Sequence, residues 1–338
     1  MNKIRIAGQA ISSTNYATQR HFNFNPEKIQ DAAENFLASG VTELEIPEAV
    51  ADPDNRFADT TRLDREKIEA SIARMPSETK VTGTYMGGGG LGNDSAEYLR
   101  KAKQRLTDLM RYFPELSYAM LHPPGRQETE DPKFAAKIVD VWKELAEFAA
   151  EKRRGFECCL HNHYDGACET ADEVRAFLDA LAEADTPALR WGPDTGHCHG
   201  MGDAYLNVFS TYAHLIGNRF HIKARVPAFD MLHSGDGYDP ERDIWGNKAE
   251  RGRGLYGGFV NVADPEIETP FQEIFAIIRE KARPAAGIVT GAVEIDVPRQ
   301  HPRLEAMCSV LYLTTVHGLE TGRNLDCETL VRRVFKVS

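Results

Sequence analysis

Four residues of metal-binding type stand near the ends of four successive apolar segments of this 338-residue chain. His161 lies in FECCLHNH (156–163), Asp194 closes LRWGPD (189–194), His221 lies in RFHIKAR (219–225) and Glu294 in GAVEIDV (291–297). Together they offer two imidazoles and two carboxylates. That donor set suits one divalent ion of Mn²⁺, Co²⁺ or Zn²⁺ and suits Mg²⁺ less well, because Mg²⁺ prefers oxygen ligands and water. A lone strand histidine ordinarily fills core, whereas four such residues at corresponding heights point to a shared ion. The same side chains can carry acid–base work. Glu294 and His161 are the candidates to move a proton next to a carbonyl polarised by a Lewis acid.

Other residues near these ends could touch a substrate. His197 follows Asp194 by three positions, and Lys223 and Arg225 share the strand face of His221 by alternation. Glu45 in ELEIP and His122 in LHPPG end two further segments. Glu43 points the same way as Glu45 but lies deeper. Glu157 shares the face of His161 yet sits about 13 Å lower in an extended strand, out of reach of the site. Cys198 and His199 flank His197 on an irregular turn and are not expected as ligands; Cys158 and Cys159 read as core. The run Gly87–Gly90 lacks the Lys and hydroxyl of a phosphate loop and reads as a turn. The pair Arg251 and Arg253 could hold an anion or simply be solvated.

These residues need elements that bring distant segments to one place. Strand patterns occur at 4–11, 41–47, 80–86, 116–122, 156–163, 189–194, 219–225 and 291–297, and helical spacing at 26–40, 96–113, 133–152 and 171–184. Asn25-Pro26 and Gly40 are start and stop signals for the first helix. Eight β-then-α units imply parallel strands with helical crossovers, and predict a (β/α)8 TIM barrel in a single domain over 1–338. One stretch breaks the pattern. Residues 226–268 are polar, glycine-rich and unpatterned, and are expected as an active-site loop over the C-terminal face after strand seven.

The motifs LHNH (160–163), DTGH (194–197), HIK (221–223) and VEID (293–296) together resemble the xylose-isomerase-like TIM barrel superfamily, which includes sugar isomerases and epimerases, inosose dehydratases and abasic-site endonucleases. The resemblance implies one divalent metal on a fifth-strand residue, the Asp of D-x-x-H, the His of H-x-K and a last-strand Glu. Asp194, His221 and Glu294 match directly, and His197 becomes the histidine that faces the substrate. One position departs: His161-Asn162 stands where epimerases of this type have Glu-Asn. The two-glutamate proton shuttle is then altered, with His161 serving as ligand, base or both. Such versions are familiar among inosose-dehydratase-like relatives. The implied function is a metal-dependent sugar or keto-sugar isomerase or epimerase working through an enediolate. A lyase or dehydratase acting on a keto-sugar or cyclitol is the alternative. A catalytically silent barrel and an abasic-site endonuclease are weaker readings.

Bulk properties narrow the partners. A formal charge of −11 disfavours a nucleic-acid groove or an anionic membrane surface. No apolar run approaches the ~18 residues of a membrane span. Six cysteines without a CxxC pair suit a reducing compartment, so a cytoplasmic location is expected. The expected partner is a small carbohydrate, and the resemblance also implies a homodimer or homotetramer.

Overall fold

The computed structural model describes residues 1–11, 28–48, 65–125, 131, 133–163, 166–225, 259–265, 267–295, 301–323, 325, 328–330 and 332, with backbone alone at 199, 200, 225, 259 and 260. In chain order the elements are β1 (Lys3–Gln9), α1 (Ile29–Leu37), β2 (Glu43–Pro47), α2 (Arg65–Ala73), β3 (Lys80–Met86), α3 (Ser95–Tyr112), β4 (Tyr118–Leu121), α4 (Phe134–Lys152), β5 (Glu157–Leu160) and α5 (Ala171–Ala184). They continue with β6 (Leu189–Trp191), a 3-10 helix (His197–Ala204), α6 (Tyr205–Tyr212), β7 (Arg219–Ile222), β8 (Ala224–Arg225), β9 (Phe259–Val260), α7 (Phe271–Lys281), β10 (Ile288–Val293) and α8 (Pro302–Thr315).

Eight strands run parallel in the order β6-β5-β4-β3-β2-β1-β10-β7. Parallel bridges Trp191–Ile216 and Asp194–His221 bring the two outer strands together, with His221 N–H donating to Pro193 O at 2.8 Å. This is the (β/α)8 barrel that the alternation predicts. Side-chain caps support some of the helix starts. Thr170 and Glu173 exchange side-chain and backbone hydrogen bonds in a capping box before α5, and Asp94 accepts the Glu97 N–H at the start of α3. The main apolar layer lies between strands and helices, built on residues such as Leu106, Trp142, Phe177 and Phe275. A smaller cluster of Tyr118, Met120 and Cys159 fills the middle of the barrel. Gly83 and Gly192 give these side chains room: a Cβ on Gly83 would sit 1.9 Å from Tyr118 Cζ, and one on Gly192 2.7 Å from Met120 Cε.

The barrel floor is ionic. Glu43 receives Arg5 and Arg219, each at 3.2 Å, and Glu157 accepts the Asn218 backbone N–H at 2.9 Å and its side-chain amide at 2.6 Å. Burial raises the Glu157 carboxyl despite those hydrogen bonds. Both acids therefore lie at the end remote from the mouth.

Several sequence expectations are corrected in their bounds. FECCLHNH is regular only to Leu160, and LRWGPD only to Trp191, because Gly192-Pro193 cannot continue the ladder. The last strand begins at Ile288, three residues earlier than expected, and ends before Glu294. The expected loop 226–268 is not irregular throughout: β9 pairs antiparallel with β8, Ala224 opposite Val260 and Arg225 opposite Phe259. Asn261 then anchors the return through Glu305 and Ser309 of α8. Residues 226–258, with Arg251 and Arg253, lie outside the described residues, as does the start signal Asn25-Pro26. Among the described residues no helix is long and apolar enough to cross a membrane.

Candidate metal centre at the barrel mouth

Strand ends deliver the four metal-type residues to one place because interior-facing positions alternate along each strand. His161, Asp194, His221 and Glu294 are all buried, at 1%, 0%, 0% and 7% exposure. Two overlapping triads result, Asp194–His221–Glu294 and His161–Asp194–His197, each with ligand atoms within 4.8 Å of one another. Asp194 is the shared member. Its Oδ1 is tied to the N–H groups of Gly196 (2.7 Å) and His197 (2.9 Å), which leaves Oδ2 aimed at the imidazoles. From Oδ2 the distances are 3.6 Å to His197 Nε2, 3.9 Å to His161 Nε2 and 3.9 Å to His221 Nδ1.

Backbone and polar side chains around this point fix its shape. Asn162 accepts the Asp194 N–H at 3.1 Å, joining the end of β5 to the end of β6. Thr195 Oγ accepts the Lys223 N–H and donates to the Lys223 carbonyl, both at 2.8 Å, joining β6 to β7. Cys198 is fully buried, receives the Asn162 amide on its sulfur at 3.6 Å, and has its thiol raised by burial, so it packs rather than ligates. The glycine-rich turn at 192–202 is thus a clamp that holds one ligand and locks two neighbouring strands.

Glu45 is fully buried and lies 3.0 Å (Oε2) and 2.9 Å (Oε1) from His221 Nε2. Expected at the substrate, it is instead turned onto the imidazole, with His221 Nδ1 left facing Asp194 and Glu294. Carboxylate–histidine pairs of this kind orient metal-binding imidazoles. Lys223, 1% exposed, places Nζ 3.1 Å from Glu294 Oε1, 3.0 Å from His197 Nε2 and 3.5 Å from Asp194 Oδ2. It lies within the cluster rather than at its rim. Arg225 is described by its backbone alone.

His122 is half-buried on the rim, with its Nδ1 2.7 Å from Pro123 O. Its ring lies 4.1 Å from that of His163, tilted by 50°, and His163 in turn lies 4.1 Å from His197. Tyr85, at the end of β3, meets His122 and His161 edge-on and lies over His221 at 6.4 Å. Sequence reasoning named Asn162 and His163 only as part of HNH and omitted Tyr85 and Thr195. Strand alternation from His161 was the available signal for His163; none existed for the two clamp residues. The rim beneath these rings is stitched by an antiparallel bridge between Gly125 and Gly166.

Protonation follows from burial and neighbours. Burial, reinforced by His221, holds His161 well below the usual imidazole range, and burial with Lys223 does the same to His197. Both offer neutral nitrogen lone pairs. Burial also pulls His221 down, but Glu45 and Glu294 outweigh it and push it up to about 10. The Asp194 carboxyl is raised by burial, against the pull of Lys223. Buried Asp194 Oδ2 and His221 Nδ1 have no hydrogen-bond partner, although His221 Nδ1 lies 2.9 Å from Glu294 Oε2. An orphaned buried carboxylate oxygen on Asp194, with imidazoles and a second carboxylate converging on it, is what a divalent ion satisfies, so the residues fit such a group.

A family model described as xylose isomerase-like TIM barrel matches residues 35–287. The chain belongs to this family. No curated protein matches it in sequence. Members and other barrels of known structure align along nearly the whole length. A probable 3-DHS dehydratase, AsbF, from Bacillus anthracis shares 17% identity over 93% of this chain and 99% of its own, with a TM-score of 0.60. A D-allulose 3-epimerase from Methylomonas sp., solved with D-allulose, shares 14% over 99% and 95%, TM-score 0.54. A xylose isomerase-like TIM barrel protein from Mycobacterium smegmatis, solved with magnesium, shares 13% over 97% of each chain, TM-score 0.54.

Proposed function

We propose that this chain is a metal-dependent isomerase or epimerase of a sugar or keto-sugar, working through an enediolate. The carrying observation is the buried convergence of Asp194, His221 and Glu294 with His161 beside them. These four residues would hold one divalent ion, Mn²⁺, Co²⁺ or Zn²⁺ by donor type. Such an ion supplies Lewis-acid polarisation of a carbonyl and its neighbouring hydroxyl.

The chain's own groups supply the rest. Glu294 Oε2 takes the proton from the carbon next to the carbonyl, and Lys223 at 3.1 Å from Oε1 stabilises the charged form of that carboxylate. His161, neutral by burial, stands across the cluster from Glu294 as ligand or second base. Lys223 also places a fixed positive charge where negative charge develops on the substrate oxygen. Glu45 holds the His221 ring in one orientation. Tyr85, His122 and His163 form the half-buried wall that a bound polyol would meet, with aromatic faces for its C–H groups and ring nitrogens for its hydroxyls.

A second reading is a lyase or dehydratase on a keto-sugar or cyclitol. The imidazole of His161 favours it. Elimination needs one carboxylate base and a separate proton donor to the leaving hydroxyl, rather than a carboxylate on each face. The likeness to the dehydratase AsbF is in keeping with this reading.

The test is to incubate metal-loaded protein with keto-sugars and cyclitol ketones in D₂O and follow exchange of the α-proton by NMR. Wild type exchanges at least one substrate, and Glu294→Gln slows it by about 10²–10⁴-fold, the usual worth of a positioned base. Accumulation of an unsaturated product selects the lyase. No exchange of any substrate by a metal-loaded chain sinks both readings.

A further inference from the structure

The chemistry at the mouth leaves one set of charged groups unused, at the opposite end of the barrel. There a pocket of about 200 Å³ is lined by Arg5, Glu43, Tyr118, Glu157 and Arg219, with the exposed Ala286 beside them. Its charges are not matched pair for pair. Glu43 is shared by two guanidiniums, those of Arg5 and Arg219, each at 3.2 Å, and also accepts the Thr82 hydroxyl at 3.3 Å. One positive charge is left over. Arg5 spends a single terminal nitrogen on Glu43, and Arg219, held over the Tyr118 ring at 4.6 Å, adds only a long 3.4 Å contact to Ser117 Oγ.

Glu157 has the converse deficit. It is 8% exposed, and its hydrogen bonds come from neutral donors, the Asn218 backbone N–H at 2.9 Å and side-chain amide at 2.6 Å. Among the described residues no lysine or arginine forms an ion pair with it, and Arg190 and Arg219 act on it only at longer range. A carboxylate accepts about four hydrogen bonds, so Glu157 keeps about two to offer. Burial raises its carboxyl, as it does for a charge short of a counter-ion. A brace built for stability alone would join the surplus guanidinium to the surplus carboxylate. Here both line a pocket instead.

We propose that this floor pocket binds a small zwitterion, an α-amino acid, with its carboxylate on the Arg5 and Arg219 guanidiniums and its ammonium on Glu157. Guanidinium forks match a carboxylate in shape as well as charge, and an ammonium brings three donors to the acceptor sites that Glu157 has left. Size narrows the class. A cavity of about 150 Å³ holds benzene, so this pocket takes about six to eight non-hydrogen atoms, the size of alanine, serine or valine. The site is separate from the metal centre and stands whether or not the chain is an isomerase.

The experiment is isothermal titration of the full chain with alanine, propionate and ethylamine, which share one skeleton and carry both charges, the negative one or the positive one. Serine and valine extend the size range. EDTA is present throughout, so that no probe binds through a metal ion at the mouth. At least one amino acid is expected to bind with a Kd at or below about 1 mM. Propionate and ethylamine should each bind about 10–100-fold more weakly than alanine, the worth of one charge-assisted contact. Ala286→Phe, which plugs the open side, and Arg5→Gln, which leaves the Glu43–Arg219 pair in place, should each weaken alanine by a similar factor. Glu157→Gln should abolish the preference for alanine over propionate. The wild-type series needs no variant, so it decides the matter even if Glu157→Gln does not fold. No saturable binding of any of the three amino acids below about 10 mM overturns the proposal. So does equal binding of alanine and propionate by wild type, or alanine binding that survives both Ala286→Phe and Arg5→Gln.

Discussion

A metal ion bound at the proposed centre would displace a proton, and the structure says from where. His161 and His197 are held neutral by burial, so neither has a proton to lose near neutrality. His221, gripped by Glu45 at 2.9 Å and beside Glu294 at 2.9 Å, is pushed up to about 10 and enters the metal-free site as an imidazolium. An ion on His221 Nδ1 needs the neutral ring. Each ion bound below pH 10 therefore releases close to one proton, and the apparent affinity rises about tenfold per pH unit. Raising the pH from about 6.5 to about 8.5 should tighten Mn²⁺ binding about 100-fold by this linkage. Isothermal titration in buffers of different ionisation enthalpy measures both quantities together. Glu45→Gln supplies the control. It removes the carboxylate that raises His221, so proton release and the pH slope both shrink in this range. Its affinity at the alkaline end falls by about 10–100-fold through loss of ring orientation. Affinity independent of pH in wild type, with no proton released, would refute the assignment of His221 as a clamped imidazolium ligand.

Four further outcomes are expected. The His221 shift is upward in the folded chain, so its stabilisation is complete below the unfolded imidazole value of about 6.5 and is lost as pH rises through about 10; the melting temperature of metal-free protein should fall across that window, and that of loaded protein should not. Asn162→Ala strips the buried Asp194 N–H of its acceptor and should cost about 1–3 kcal/mol in urea unfolding of the metal-free chain. Gly83→Val drives a side chain into Tyr118, which is pinned beneath Arg219 at 4.6 Å, and should destabilise by ~1–3 kcal/mol or more in thermal melting. Gly125→Ala, with open space around its new Cβ, should change stability by under about 0.5 kcal/mol.

The barrel and the convergence of the four metal-type residues were legible because each depends on local pattern. Strand periodicity is written every second residue, and parallel order places every strand's C-terminal end at the same pole, so His161, Asp194, His221 and Glu294 could be placed together without any knowledge of contacts. The supporting residues were not legible in the same way. Glu45 has the same strand-end position whether it faces a substrate or an imidazole, and only the distance across the barrel to His221 decides. Thr195 and Asn162 are ordinary polar residues until β6 settles between β5 and β7. Lys223 was visible as a neighbour of His221, but its place among His197, Asp194 and Glu294 depends on side-chain reach inside a closed cylinder. Element ends were misjudged where a polar or proline residue continues an apolar segment after the ladder has stopped, as at His161 and Pro193.

Glu43 and Glu45 occupy one face of β2, and each reaches over to β7, the lower to Arg219 and the upper to His221. The two contacts brace the cylinder across its width at successive levels. The spacing between those strands is therefore set partly from the closed pole, where no chemistry takes place. Remodelling that floor offers a way to shift the His221 ring from a distance, and a transplanted mouth would need its foundations moved with it.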